Sequence, residues 1–142
     1  MAIRTSEAQW DGTLRDGKGR FWTGSGEVSG VYAFQTRFEE EPGTNPEELI
    51  GAAHASCFSM ALAGDLGRAG YEPRSVRTTA KVHLEKGDAG FTITEIDLES
   101  EAQVDGIGDD EFQRIAEGAR AGCPVSRALG AVPIILRATL TT

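Results

Sequence analysis

Two thiols are the most reactive side chains in this chain: Cys57 and Cys123, 66 positions apart. A thiolate is a nucleophile and a metal ligand. A pair of them permits reversible disulfide chemistry, metal binding, or simple packing, because free cysteine often serves as a small buried hydrophobe. Cys57 lies within Ala53-His54-Ala55-Ser56-Cys57-Phe58, an apolar run. Cys123 precedes Pro124 at a predicted helix junction, where backbone N–H groups can lower a thiol pKa. Spacing alone does not decide whether the two pair. With His54 and His83 they could fill a zinc site. There is no C-x-x-C, however, and His54/Cys57 is the only local combination. No G-x-S-x-G elbow marks a serine hydrolase. Gly24-Ser25-Gly26 lacks the rest of any phosphate-binding loop.

The elements that must position these residues can be read from turn and cap signals. The residues 8–14 alternate as a strand, Asp16-Gly17-Lys18-Gly19 signals a hairpin, and 20–23 and 31–36 read as two further strands. Asn45, Pro46 and Glu48 mark the clearest helix start, as N-cap, first helical residue and capping-box partner. That helix should run to about Arg68, stopped by Gly67 and Gly70. Its centre, 50–62, is apolar or small nearly all round, which predicts enclosure on several sides. Strands over 76–84 and 91–100 flank a turn at 86–90. A helix opens at Asp109 or Asp110 and reaches about Ala121. Pro124 opens a short one through Leu129, and a last strand covers 134–140. The order predicts a single α+β domain over 1–142 with a largely antiparallel sheet.

Composition narrows the partners. The chain has 142 residues, which fits one domain, and a formal charge of −8. No Lys/Arg cluster offsets that charge, so no nucleic-acid partner is expected. The Glu39-Glu40-Glu41 run reads as a solvated loop. The N-terminus lacks an apolar signal region, and the most apolar stretch, 49–63, is shorter than a membrane span. A cytoplasmic protein with no membrane partner is expected. In that compartment two cysteines suggest reversible redox or metal chemistry more than stapling.

The segments Thr36-Arg37-Phe38-Glu39, Thr44 through Leu62 and Ala119-Arg120-Ala121-Gly122-Cys123-Pro124-Val125-Ser126 resemble the osmotically inducible protein C / organic hydroperoxide resistance (OsmC/Ohr) family. The likeness runs from Trp10-Asp11-Gly12 to the final strand. The arginine at Arg37 and the histidine at His54 resemble the osmotically inducible branch. The resemblance implies an OsmC-like fold, with antiparallel sheets wrapped around a long central helix in an intertwined homodimer. It implies a thiol peroxidase that protects against oxidative stress. Cys57 would be the peroxidatic cysteine, Cys123 the resolving cysteine, and Arg37 and Glu47 a supporting pair. It implies no bound cofactor and no metal, but an external dithiol reductant, a dihydrolipoyl group on a carrier protein.

The chemistry explains why such residues would be needed. A free thiol is mostly protonated at neutral pH, and burial makes this worse. A guanidinium at Arg37 would favour the Cys57 thiolate and hold a peroxide oxygen as charge develops. Glu47 would fix that guanidinium by a bidentate contact. The plainer readings are a surface arginine balancing Glu39 and Glu40, and a glutamate complementing the helix dipole. After attack, Cys123 would close a disulfide on the Cys57 sulfenic acid. Apolar neighbours (Leu49, Ile50, Phe58, Met60, with Tyr32 or Phe34) would favour organic hydroperoxides over hydrogen peroxide. Glu47 and Cys57 are ten residues apart on one predicted helix, roughly 15 Å of rise. Two such helices packed antiparallel across a two-fold axis, or a bend, would bring Arg37 within reach. The competing classes are a non-catalytic module that binds a hydrophobic ligand or senses redox state, and a zinc protein.

Overall fold

In the computed structural model, which describes residues 1–142, the local signals become ten elements. They are β1 (Ser6–Asp11), β2 (Lys18–Thr23), β3 (Ser29–Tyr32), α1 (Phe34–Phe38), α2 (Pro46–Arg68), β4 (Pro73–Gly87), β5 (Gly90–Val104), α3 (Asp109–Gly122), α4 (Pro124–Ala128) and β6 (Ile134–Thr141). The architecture is α+β, with two three-stranded sheets. The chain divides into two units, Met1–Leu49 and Ile50–Thr142, and α2 begins in the first and continues through the second.

In the first unit β1, β2 and β3 form an antiparallel meander. Gly19 is required there: a Cβ would meet the Tyr32 ring at 2.5 Å and Trp10 at 2.8 Å. Its absence lets Trp10 and Tyr32 approach with ring centroids 5.6 Å apart. The strand predicted over 31–36 stops early. Thr36 turns its hydroxyl back to accept the Ala33 N–H at 2.9 Å, and Phe34 and Phe38 stack at 5.1 Å. Those local contacts favour a helical turn, and α1 replaces the end of the expected strand.

In the second unit β4 and β5 form a long antiparallel hairpin, closed at Gly90 with φ +105°. The expected antiparallel order breaks at the end of the chain, because β6 pairs with β5 in parallel, Ile96 opposite Ile134. Parallel neighbours need a crossover, and α3 and α4 supply it between β5 and β6. The core is made by Phe58, Leu62 and Leu66 of α2, Ile96, Leu98, Ala102 and Val104 of β5, and Phe112, Ala116 and Ala119 of α3. The four-residue spacing of the α2 members places them on one helix face.

Asn45 caps α2 as expected, accepting the Glu48 N–H at 2.8 Å. The helix has 23 residues, longer than the apolar stretch legible in the sequence. By length and composition it could cross a membrane, as many core helices could. It is not enclosed all round. Ala52, Ala53 and Ser56 are exposed, and Met60 stands 80% exposed. An apolar helix with one bare face departs from the predicted enclosure.

Candidate active site

In the second unit, α2 presents Cys57 beside the junction of α3 and α4, where Cys123 is the N-cap of α4 and Pro124 its first residue. The two sulfurs are 2.7 Å apart and both are free thiols. Cys57 is half-buried, whereas Cys123 is 1% exposed. Peroxide-sized molecules can therefore meet Cys57 more readily.

Acidity runs the other way. Burial pushes the Cys57 thiol up, the contact with Cys123 adds to this, and only the Val125 amide opposes it. Burial also raises Cys123. Hydrogen bonds from the Cys57 thiol, the Ser126 amide and hydroxyl and the Val125 amide outweigh it, and Cys123 lies below its ordinary value. Within this unit no cation acts on Cys57. The expected thiolate at that sulfur needs a charge from elsewhere.

The arginine expected for that role stands in the first unit. Arg37 of α1 donates to Glu47 of α2 through Nε at 3.0 and 3.2 Å to the two carboxylate oxygens, and through Nη2 at 2.7 Å. The side chains are 37% and 8% exposed. The fork-on-carboxylate contact supports the pairing expectation over the dipole reading. Two of the three bonds at Thr36 hold α1 against the start of α2, and one closes α1 on its own N-cap. Thr36 Oγ1 donates to Ala33 O at 3.1 Å and to Thr44 O at 2.8 Å, and Asn45 Nδ2 donates to Thr36 O at 3.2 Å. Beside Arg37 lies a cavity of about 400 Å³, lined by Trp10, Leu14, Tyr32, Phe34 and Phe38 among others. Tyr32 and Phe34, two of the apolar residues put forward from the sequence, are part of this lining. Phe58 is not, since it is fully buried in the second unit's core. Its place, four residues ahead of Leu62 and eight ahead of Leu66, explains that.

From the sequence His54 stood out as a mark of one family branch and as a candidate zinc ligand, and Ser126 did not stand out. Both are buried, and His54 Nε2 lies 2.7 Å from Ser126 Oγ. The signal was present: His54 continues the Phe58, Leu62, Leu66 row by four residues, and Ser126 is the third residue of α4. His83 instead sits on the exposed face of the second sheet, its Nε2 2.9 Å from Asp97 and 3.8 Å from Glu95. It takes no part near either cysteine of its unit, which removes the zinc set of His54, His83, Cys57 and Cys123.

Comparison with known proteins fits this arrangement. The OsmC-like protein family model matches residues 38–137. Peroxiredoxin OsmC of Escherichia coli K12 is 55% identical over 129 residues, 90% of each chain. A crystal structure of an organic hydroperoxide resistance protein OsmC from Legionella pneumophila superposes with TM-score 0.70 at 22% identity over all of both chains. An OsmC-like protein of Vibrio cholerae gives TM-score 0.77 at 15% identity, covering 97% of this chain and 99% of that one. These two show the fold. A family match over most of the chain, and majority identity to a peroxiredoxin, settle kinship: the chain belongs to the OsmC-like family and is a peroxidase enzyme.

Proposed function

We propose that the protein reduces organic hydroperoxides to alcohols, with Cys57 as the attacking sulfur and Cys123 as the resolving one. The observation that carries this is the contact between one half-buried and one buried thiol, Cys57 and Cys123. A Cys57 thiolate attacks the terminal peroxide oxygen, the O–O bond breaks, and the alkoxide leaves with a proton. Cys57 becomes a sulfenic acid. Cys123 then displaces its hydroxyl, forming the disulfide and water. An external dithiol, of dihydrolipoyl type on a carrier protein, restores both thiols by exchange.

Arg37 is the cation assigned to the first step, held by Glu47. The aromatic cavity beside it suits an alkyl or aryl tail, which supports organic hydroperoxides over hydrogen peroxide. The bare apolar face of α2 supports a homodimer in which α2 packs on its copy, and Arg37 of one copy serves Cys57 of the other. The proposed setting is cytoplasmic.

The test is stoichiometric. Cys57→Ser should consume no peroxide. Cys123→Ser should consume about one equivalent per chain without a dithiol, and with one should turn over only at the slower rate of direct attack on the sulfenic acid, because the internal partner is gone. Sustained turnover by Cys57→Ser would reverse the assignment of the two sulfurs.

A further inference from the structure

On the outer face of the second sheet, neighbouring cross-strand charges meet in two patterns. Lys81 meets Glu99 at 2.9 Å, a diagonal pair of one cation and one acid. Two residues further along β4, one imidazole meets two acids of β5. His83 Nε2 lies 2.9 Å from Asp97 Oδ2 on the same diagonal, and 3.8 Å from Oε2 of Glu95, the residue directly opposite. One ligand atom from each of these three residues lies within 4.8 Å of the other two. Arg137 of β6 shares the face, opposite Glu99, and acts on both acids from farther off without forming an ion pair with either.

An ion pair explains the first pattern and only half of the second. Asp97 alone meets the need of the imidazole, and its side chain is only 14% exposed, so it is the most firmly placed of the three. Glu95 then adds a second carboxylate beside the first, and the two repel. A divalent cation removes that repulsion, because two carboxylates and a neutral imidazole carry the two negative charges it cancels. The donor set also chooses among cations. One nitrogen with carboxylate oxygens suits a first-row transition ion, whereas magnesium and calcium take oxygen donors throughout. Ligands about 2.0–2.1 Å from a tetrahedral ion stand about 3.3 Å from one another. The separations of 2.9 and 3.8 Å fall on either side of that value, and His83 and Glu95, each partly exposed, have room to adjust. The three residues sit on paired strands, with β5 central in its sheet, so the backbone beneath them is held.

We propose that His83, Glu95 and Asp97 form a binding site for a divalent transition-metal ion such as Zn²⁺. His83 supplies Nε2, each acid supplies an oxygen, and water fills the coordination position that faces solvent. The ion ties β4 to β5 beside the register shift between His83 and Leu84, where the regular ladder is interrupted. No residue assigned to the peroxide chemistry belongs to this site.

The test uses the full chain carrying Cys57→Ser and Cys123→Ser, so that no thiol competes for metal. The protein is stripped with EDTA and titrated with zinc chloride at neutral pH in a calorimeter. One ion should bind per chain, saturably, at micromolar concentration. Losing even an outer-shell partner lowers metal affinity about 10–100-fold, so His83→Ala should weaken binding about a hundredfold and Glu95→Gln at least about tenfold. Both side chains are on the sheet surface, and neither substitution disturbs the core. Saturating Zn²⁺ should raise the Tm of the parent and leave that of His83→Ala unmoved. A large excess of Mg²⁺ should not displace the bound ion. Heats that never saturate overturn the proposal. So does undiminished binding in His83→Ala, or displacement by Mg²⁺, since either means that the acids only gather cations. No arm of the experiment uses peroxide, so a failure of the peroxidase reading would leave this result standing.

Discussion

Breaking the Arg37–Glu47 contact should cost both stability and rate, and the two losses can be worked separately. Glu47 keeps 8% of its side chain exposed and Arg37 37%. Removing the arginine with Arg37→Met leaves a nearly buried carboxylate unpaired. Removing the acid with Glu47→Gln leaves a guanidinium that can still turn to water. The first change should therefore be the more destabilising. Three hydrogen bonds hold the pair, all charge-assisted. A bond of that kind contributes about 1.5–3 kcal/mol net when buried, and the exposed arginine side brings the pair toward the lower surface values. A coupling of about 1–2 kcal/mol follows for the double-mutant cycle Arg37→Met, Glu47→Gln and the double variant. Urea unfolding at one fixed protein concentration measures it, since an oligomer's midpoint depends on concentration. The same Glu47→Gln protein keeps the cation but loses its anchor. A misplacement of the order of 1 Å lowers rates about a hundredfold, so kcat/KM for cumene hydroperoxide should fall ten- to a hundredfold. A coupling below about 0.3 kcal/mol, or full activity in Glu47→Gln, would refute the claim that Glu47 holds Arg37 for the reaction.

Other outcomes follow from single contacts. Phe58→Ala opens a void in a fully buried cluster and should destabilise by about 3–5 kcal/mol in urea unfolding, with no change in the stoichiometry of peroxide consumed. Burial holds the folded pKa of His54 below the ordinary imidazole value of 6.5, so the unfolded chain binds the extra proton first. Its contribution to stability is complete above about pH 6.5 and is lost as pH falls below it, with a slope of up to about 1.4 kcal/mol per pH unit. A His54→Gln protein should show a flatter acid limb in denaturant titrations from pH 7 to 5. Met60→Asp places a charge on the bare face of α2 and should yield monomers in sedimentation equilibrium, with most peroxidase activity lost. A monomer of full activity removes the shared-site proposal.

What was legible in the sequence was what short-range chemistry dictates. Asn45-Pro46 fixes the start of α2 whatever surrounds it, and glycines fix the β4–β5 turn. The parallel edge strand was not legible, because no local signal separates a strand that returns beside its neighbour from one reached through a crossover. The loss of residues 33–36 from the expected strand came from one hydroxyl, Thr36, whose pattern fits strand and helix alike. At the site, Cys57 and Cys123 carried signals in their own neighbourhoods. The His54–Ser126 contact spans 72 positions and became visible only when α4 was placed beside α2.

The two thiols divide exposure and acidity between them, and that division bears on how the cycle is assembled. A sulfur that meets peroxide must be reachable, and Cys57 is the more reachable of the two. A sulfur that resolves must be ionised whenever a sulfenic acid appears, and Cys123 has its donors, Ser126 and Val125, on its own helix. The second unit thus completes the resolving half from its own residues and leaves the attacking half without a cation. Arg37 is already oriented by Glu47, and in the proposed reaction little further ordering would be needed for it to serve the attacking sulfur. If that meeting takes place only between two copies, Cys57 is acidic only in the dimer. Titrating its thiolate in Cys123→Ser at concentrations on either side of dimer dissociation reads this directly. The midpoint should rise as the dimer comes apart. A midpoint that ignores concentration means the cation is supplied within one chain.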